Sequence, residues 1–226
     1  ESDTGKLIAD ILRARQKAYP SDSDVAEATA AITNIKNLSL TAEQIPQQGF
    51  ATPDIVQVYE AYQAALKKQK IMDHDDQVCY ALQILKLRPD LLSYYRAQYP
   101  YICVDEAQDT SKIQHTIIGL LASRDRNLFM VGDEDQSIYG FRAAYPDALL
   151  RFEQDYPGAK VLLMEKNYRS VPAIVEAANG FIARNQFRHP KTLRAVRAGD
   201  TQIHTVRSAN RMAQYGYLFE VGKRCQ

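Results

Sequence analysis

Three polar segments in this sequence lie just beyond short apolar runs, and their residue types suit phosphate chemistry. Asp105 and Glu106 follow one apolar run, and a Gly-Asp loop that leads to Gln136 follows the next. The Asn-Tyr-Arg-Ser segment at 167–170 comes after a third run. In open α/β sheets, ligands bind beyond the carboxyl ends of the strands. We therefore expect these three segments to meet at one edge of a parallel sheet.

The adjacent carboxylates Asp105 and Glu106 are suited to nucleotide hydrolysis. Asp105 offers the oxygen ligand that Mg²⁺ prefers. Glu106 can orient the attacking water and accept its proton. The alternative is that the acidic pair caps the following helix, because an apolar run followed by Asp-Glu is a short pattern that fits both interpretations.

The later segments supply groups that complement such a site. The side-chain amide of Gln136 can sense a γ-phosphate, and Arg169 can stabilise charge on a phosphoryl group in transfer. Tyr168 offers a flat face for a nucleobase. Taken one at a time, a core tyrosine and a surface arginine are the simpler interpretations.

Aromatic and basic residues alternate shortly after Gln136. Tyr139, Phe141 and Arg142 have the composition of a surface on which the bases of single-stranded nucleic acid stack. Taken alone, Tyr139 and Phe141 are more simply interpreted as core aromatics and Arg142 as a surface arginine. Their clustering favours a nucleic-acid contact.

The elements that must position these groups are predicted to form an α/β fold. Continuous apolar runs separated by helical patterns are typical of a parallel sheet covered on both faces. The predicted strands are 101–104, 128–131, 161–164 and a weaker one at 203–206. The predicted helices between and after them are 112–122, 146–155, 171–185 and 209–223.

The first seventy or so residues are predicted to be helical throughout. Leu7, Ile8, Ile11 and Leu12 form one apolar stripe at helical spacing. A second helix covers 25–38, capped by Ser23 or Asp24, and a third follows Asp54 and ends in the lysine-rich 67–70 segment. These helices predict an all-helical subdomain in front of the sheet.

The three polar segments together resemble the motifs of superfamily 1 DNA helicases of the UvrD/Rep/PcrA type. Residues 105–110, Asp-Glu-Ala-Gln-Asp-Thr, resemble the Walker B motif of that family. Residues 132–144 resemble its motif III, and 167–170 resemble its motif IV. A weaker family segment, usually Asp-Phe-Asp-Asp, is matched at 73–76 with His74 in place of Phe. Order and separations also fit.

The resemblance implies an ATP-dependent helicase that moves 3′→5′ along single-stranded DNA and acts at duplex junctions. It implies that ATP and Mg²⁺ are held by one group of residues: Asp105 and Glu106 at the metal, with Glu106 as the base, Gln136 and Arg169 at the γ-phosphate, and Tyr168 stacked on adenine. It implies that a second group faces DNA: Tyr139, Phe141 and Arg142. Phe141 stands where Trp is frequent in the family, and Ala143 where Gly is usual.

The same resemblance predicts three domains: a partial helical 1B-like subdomain at 1–70, the second half of a RecA-like domain 1A at 71–158, and the start of a RecA-like domain 2A at 159–226. The phosphate-binding pattern G-x-x-x-x-G-K-[ST] does not occur, since Gly5-Lys6 lacks the earlier glycine and is followed by Leu7. We therefore expect a fragment of a longer helicase that does not hydrolyse ATP by itself.

Composition narrows the class of protein without identifying a partner. A formal net charge of +1 neither requires nor excludes nucleic acid. Three widely spaced cysteines without metal-ligand spacing predict reduced thiols in the cytoplasm, and no apolar run is long enough to span a bilayer. Two rival hypotheses are a non-catalytic DNA-binding or partner-docking module and a helicase–nuclease subunit of the RecB or AddA kind.

Overall fold

Residues 2–16, 19–122, 127–138, 140, 143–199 and 202–225 are described by a computed structural model. The chain divides into two units, Glu1–Val161 and Leu162–Gln226. Each unit combines helices with one pair of short parallel strands. The predicted α/β class is therefore confirmed. None of the helices in the described ranges is both long and apolar enough to cross a membrane.

The first unit contains most of the helices. In chain order its elements are α1 (Ser2–Gln16), α2 (Asp22–Asn37), α3 (Ile55–Gln69), α4 (His74–Leu87), α5 (Pro89–Gln98), β1 (Ile102–Val104), α6 (Lys112–Ala122), β2 (Leu128–Met130), α7 (Asp147–Leu150) and α8 (Phe152–Asp155). The elements of the second unit are β3 (Lys166–Asn167), α9 (Pro172–Ile182), β4 (Arg194–Ala195) and α10 (Arg211–Arg224).

The main hydrophobic core lies among α1, α2 and α3. The apolar stripe predicted on α1 is confirmed, because Ile8 and Leu12 are fully buried and Leu7 and Ile11 pack against the same core. The predicted cap of α2, Ser23 or Asp24, is wrong by two or three residues. Ser21 is the N-cap, and its side chain and that of Asp24 form a reciprocal capping box. Asp24 is thus the third helical residue rather than the cap.

Helices α4 and α5 lie in a stretch outside the predicted elements. Asp73 begins α4 with a second capping box, in which its side chain accepts the Asp76 N–H and the Asp76 side chain accepts the Asp73 N–H. Asp73 and Asp76 also bind Lys36 of α2. The acidic segment therefore fixes the start of α4 against the helical core, and His74 between them is exposed.

Strands β1 and β2 pair in parallel, as predicted, with Ile102 opposite Leu128 and Val104 opposite Met130. The expectation that both faces of these strands are covered is wrong. Cys103 and Phe129 are opposite each other in the middle of the strands, and Phe129 is 60% exposed. Only these two strands pair in the first unit among the described residues, so the sheet is narrower than the apolar runs indicate.

The helix predicted at 112–122 is confirmed as α6, but the one predicted at 146–155 is divided into α7 and α8. Arg151 interrupts it with a backbone that leaves helical geometry at φ −100° and ψ 8°. The beginning of α6 is capped by Ser111, whose hydroxyl accepts the Gln114 N–H while Gln114 Oε1 accepts the Ser111 N–H.

In the second unit, the strand predicted at 161–164 is wrong. This stretch is irregular, and Leu162 and Met164 are about four-fifths exposed. Backbone pairing begins only at Glu165, whose carbonyl accepts the Arg194 N–H, and the ladder continues as β3 beside β4. The weak strand predicted at 203–206 is also irregular and exposed, whereas α9 and α10 lie within the predicted helical stretches apart from one residue of α10.

Candidate functional site

The carboxyl ends of β1 and β2 bring two of the predicted segments together. Val131 N–H donates to Val104 O at 2.8 Å, and Ala107 N–H donates to Val131 O at 3.0 Å. These bonds join the chain immediately after β1 to the chain immediately after β2. The expectation that the Asp-Glu pair and the Gly-Asp loop share one sheet edge is confirmed.

Asp105 and Glu106 are both exposed at this edge. Asp105 Oδ1 accepts the Glu106 N–H at 2.9 Å, and Glu106 adopts a left-handed backbone with φ 48° and ψ 43°. A residue other than glycine rarely takes that conformation, and such residues concentrate at functional sites. Glu106 provides no side-chain cap to the 3-10 turn that follows, and Ser111 caps α6. The helix-cap alternative for the acidic pair therefore fails.

Gln108 lies beneath the acidic pair and is 1% exposed. Its Nε2 donates to Glu106 Oε2 at 2.8 Å, and its Oε1 accepts the Asp133 N–H at 3.0 Å. Both ends of one buried amide are therefore used, one toward each of the two segments. The sequence interpretation did not select Gln108. The sequence feature that could have indicated Gln108 is its position two residues after Glu106 within the 105–110 segment.

The loop after β2 packs closely against the residues that follow β1. A Cβ added at Gly132 would lie 2.8 Å from Gln108 Oε1, 2.7 Å from Leu149 Cδ1 and 3.2 Å from Ala107 N. Glycine is therefore required here by space rather than by backbone angle. The predicted sensor Gln136 is exposed, and its Nε2 donates to Asp133 Oδ2 at 2.7 Å.

The acidic residues of this loop form a separate carboxylate group. Oxygen atoms of Asp133, Glu134 and Asp135 lie within 4.8 Å of one another, and Glu134 is buried. The metal ligands predicted from sequence are instead Asp105 and Glu106, whose exposed oxygens are the ligand type that Mg²⁺ prefers. The oxygen donors present at this edge thus fit a magnesium ion by their chemistry.

His115 on α6 braces the chain that follows the acidic pair. Its Nε2 contacts Thr110 Oγ1 and lies 3.2 Å from Ala107 O. Burial lowers the pKa of His115, although the hydrogen bond that its ring donates to the Ala107 carbonyl acts in the opposite direction. His115 therefore helps to hold the 107–110 turn.

The predicted DNA-facing residues Tyr139, Phe141 and Arg142 lie outside the described residues. Their neighbour Ala143 is buried and takes φ 59°, so the position where the family usually has Gly does require a positive φ. Ala144 forms an isolated antiparallel bridge with Ser111. The end of the 132–144 segment is therefore tied to the beginning of α6.

In the second unit, the Asn167–Ser170 segment forms a tight turn at the end of β3. Asn167 Oδ1 accepts the N–H groups of Arg169 at 3.0 Å and of Ser170 at 2.8 Å. Tyr168 is 67% exposed and Arg169 is exposed as well. Arg197, two residues after β4, donates to the Arg169 carbonyl at 3.3 Å and so supports the turn. Because β3 pairs with β4 in a two-stranded sheet separate from that of β1 and β2, the expectation that all three segments lie at the edge of one sheet is wrong. That Tyr168 and Arg169 share a site with Asp105 stays a prediction.

Exposed carboxylates and an amide at the carboxyl edge of parallel strands are typical of ligand sites in α/β proteins. Comparison with known families defines the class further. A model described as the UvrD/REP helicase N-terminal domain matches residues 1–157 of this chain. The chain therefore belongs to the UvrD/Rep helicase family.

Individual relatives carry a more specific name. The chain is 41% identical over 207 residues to the ATP-dependent DNA helicase PcrA of Staphylococcus epidermidis, covering 89% of this chain and 28% of that protein. It is 47% identical over 139 residues to PcrA of Leuconostoc citreum, covering 62% and 19% respectively. With PcrA of Staphylococcus aureus the identity is 40% over 205 residues, covering 90% and 28%. The chain thus spans less than a third of the length of these relatives.

Proposed function

We propose that this chain is part of an ATP-dependent DNA helicase motor of the UvrD/PcrA type, which acts in the cytoplasm and moves 3′→5′ along single-stranded DNA. The observation that carries the proposal is the buried amide of Gln108, which joins the candidate base Glu106 to the loop of the candidate phosphate sensor Gln136. A hydrolytic base tied to a phosphate-sensing loop is an arrangement that a nucleotide-driven motor needs. The similarity to proteins named ATP-dependent DNA helicase PcrA supports the same function.

In this proposal, the exposed carboxylates divide the work of hydrolysis. Asp105 holds Mg²⁺ directly or through water, and Glu106 orients the attacking water and accepts its proton. Mg²⁺ held by these residues would neutralise negative charge on the phosphates of ATP. Because Asp105 Oδ1 accepts the Glu106 N–H, the two carboxylates are held in one turn of backbone.

The remaining residues bind the other ends of the nucleotide and the DNA. Gln136 senses the γ-phosphate, Arg169 stabilises its charge in the transition state, and Tyr168 stacks on the adenine. Tyr139, Phe141 and Arg142 face single-stranded DNA near a duplex junction. The proposed domains are the 1B-like 1–70, the RecA-like 1A part at 71–158 and the RecA-like 2A part at 159–226.

A non-catalytic DNA-binding module is the rival function. Such a module has no use for a Glu106 whose backbone is left-handed and whose side chain is hydrogen-bonded to Gln108. These features therefore favour hydrolysis. These 226 residues contain no phosphate-binding loop. We therefore expect the purified chain alone to show no DNA-stimulated ATPase activity.

The test uses a full-length helicase that contains this chain together with a phosphate-binding loop. Glu106→Gln should lower the DNA-stimulated ATPase rate by about 10²–10⁴-fold, the usual contribution of a general base. ATP binding, measured with a fluorescent analogue, should persist. The matched control is Glu153→Gln on the exposed surface of α8, which should leave the rate unchanged. A Glu106→Gln enzyme that still hydrolyses ATP at the normal rate would contradict the proposal.

A further inference from the structure

Gln108 is a buried residue that contacts both strand-end segments of the candidate site. Besides the bonds from its amide to Glu106 Oε2 and the Asp133 N–H, its backbone carbonyl accepts the Ser137 hydroxyl at 3.4 Å. Its side chain therefore reaches both strand-end segments, and its backbone reaches the end of the 132–136 loop. At 1% exposure it exchanges no hydrogen bonds with bulk water.

The orientation of the Gln108 amide is fixed by its partners. A carboxylate can only accept a hydrogen bond and a backbone N–H can only donate one. Nε2 must therefore face Glu106 and Oε1 must face Asp133. Rotation of the amide by half a turn would place like groups against each other on both sides, so the side chain has one stable arrangement.

The partner on the Glu106 side is an exposed side chain, which a packing role for Gln108 does not explain. A buried amide is satisfied equally well by backbone groups, as most buried side-chain amides are. Here the donor is used on a solvent-accessible carboxylate whose backbone has φ 48°. The contact restricts the rotamers of Glu106, which is the residue proposed to activate water.

We propose that Gln108 is a positioning residue, which couples the position of the Glu106 carboxylate to the position of the 132–136 loop. This inference rests on the proposed function. When the loop carrying Gln136 responds to a γ-phosphate, the Asp133 N–H moves with it, and the Gln108 amide transmits that movement to Glu106 Oε2. Gly132 contributes to the same link, because its lack of a Cβ lets the loop lie against Gln108 Oε1.

Two variants of the full-length helicase separate the two halves of this link. Gln108→Glu keeps an acceptor for the Asp133 N–H but loses the donor to Glu106 and sets a carboxylate beside it. Gln108→Met has a similar length and loses both bonds. Both should lower kcat for ATP about 10–100-fold, the effect of misplacing a reacting group slightly, with KM for ATP nearly unchanged.

A readout of structure distinguishes positioning from general destabilisation. Hydrogen exchange of the Asp133 amide should accelerate in Gln108→Met and stay slow in Gln108→Glu, although kcat falls in both. The matched control is Gln114→Met, which removes the hydrogen bond to the Ser111 N–H at the start of α6 and contacts neither Glu106 nor the 132–136 loop. It should leave kcat at the wild-type value.

The possible outcomes distinguish failure of the positioning role from failure of the proposed function. If Glu106→Gln abolishes hydrolysis while Gln108→Glu retains normal kcat, the proposed function stands and the positioning role is wrong. If kcat in the Gln108 variants falls only in proportion to their thermal stability, the role is structural and the inference is again overturned. If Glu106→Gln remains fully active, the proposed function itself has failed.

Discussion

Two polar clusters in the first unit are built in opposite ways. The junction cluster consists of Lys36 of α2, Tyr62 of α3, and Asp73 and Asp76 at the start of α4. The strand-end cluster consists of Asp105, Glu106, Gln108 and Gln136. The junction cluster is largely buried, whereas three of the four strand-end residues are exposed and only Gln108 is buried.

The junction cluster satisfies its own charges. The Lys36 side chain is 1% exposed, and its Nζ lies 2.6 Å from Asp73 Oδ2 and 2.7 Å from Asp76 Oδ1. The Tyr62 hydroxyl donates to the same Asp73 oxygen at 2.8 Å. Buried charges persist only when they are paired and hydrogen-bonded. This cluster therefore fixes three helices relative to one another.

The strand-end cluster keeps its charges in contact with solvent. Asp105 and Glu106 sit on a loop supported by rigid strands, which is where binding and catalytic residues concentrate. The burial of an acidic residue therefore helps to assign its role. A carboxylate that is itself largely buried and paired with a cation holds structure together, and one that stays exposed on a held backbone is available for a ligand.

The largest expected effect is on the junction cluster. Lys36→Met should lower the free energy of unfolding of this chain by about 3–5 kcal/mol, because it leaves two largely buried carboxylates without their cation. Urea unfolding followed by circular dichroism measures the change. The control is Lys68→Met on the exposed end of α3, expected to change stability by less than about 0.5 kcal/mol. Equal effects of the two substitutions would remove the distinction between the clusters.

The helices show what could be predicted from local sequence. The stripe of Ile8 and Leu12 on α1 and the bounds of α6 follow from apolar spacing alone, and the structure confirms both. The role of Asp73 and Asp76 was not predicted, although the Asp-x-x-Asp spacing is a capping-box signal. Their partner Lys36 is 37 residues away from Asp73, and no local pattern indicates such a pair.

The strands show where local sequence fails. An apolar run becomes a strand only when a neighbouring strand pairs with it, which is a long-range property. The 128–131 run has such a partner in β1, whereas the 161–164 run has none among the described residues. The position of Asp105 and Glu106 at a sheet edge was predictable from strand order, but the link through Gln108 depends on side-chain contacts across that edge.

The second effect is a loss of stability in acid, and it should be smaller because protonation of Asp73 leaves Lys36 paired with Asp76. Burial acts to raise the pKa of Asp73. Hydrogen bonds from Lys36, the Asp76 N–H and Tyr62 outweigh burial, and the net pKa lies below its ordinary value. The contribution is therefore complete above the unfolded pKa of about 3.9 and is lost as pH falls through the folded value.

Unfolding measured between neutral and acid pH checks this expectation. Asp73→Asn should be less stable at neutral pH, and its stability should depend less on pH in the acid range than that of the wild type. A wild-type acid profile in Asp73→Asn would show that another group is responsible.

The smallest expected effect on stability is that of Asp105→Asn at neutral pH, which tests the strand-end cluster. The asparagine Oδ1 can still accept the Glu106 N–H, and the side chain is exposed. We expect the free energy of unfolding of the chain to change by less than about 0.5 kcal/mol. In the full-length helicase the same substitution should impair Mg²⁺-dependent ATP turnover. A loss of stability as large as that of Lys36→Met would mean that the strand-end carboxylates hold structure together as well, and exposure would no longer separate the two roles.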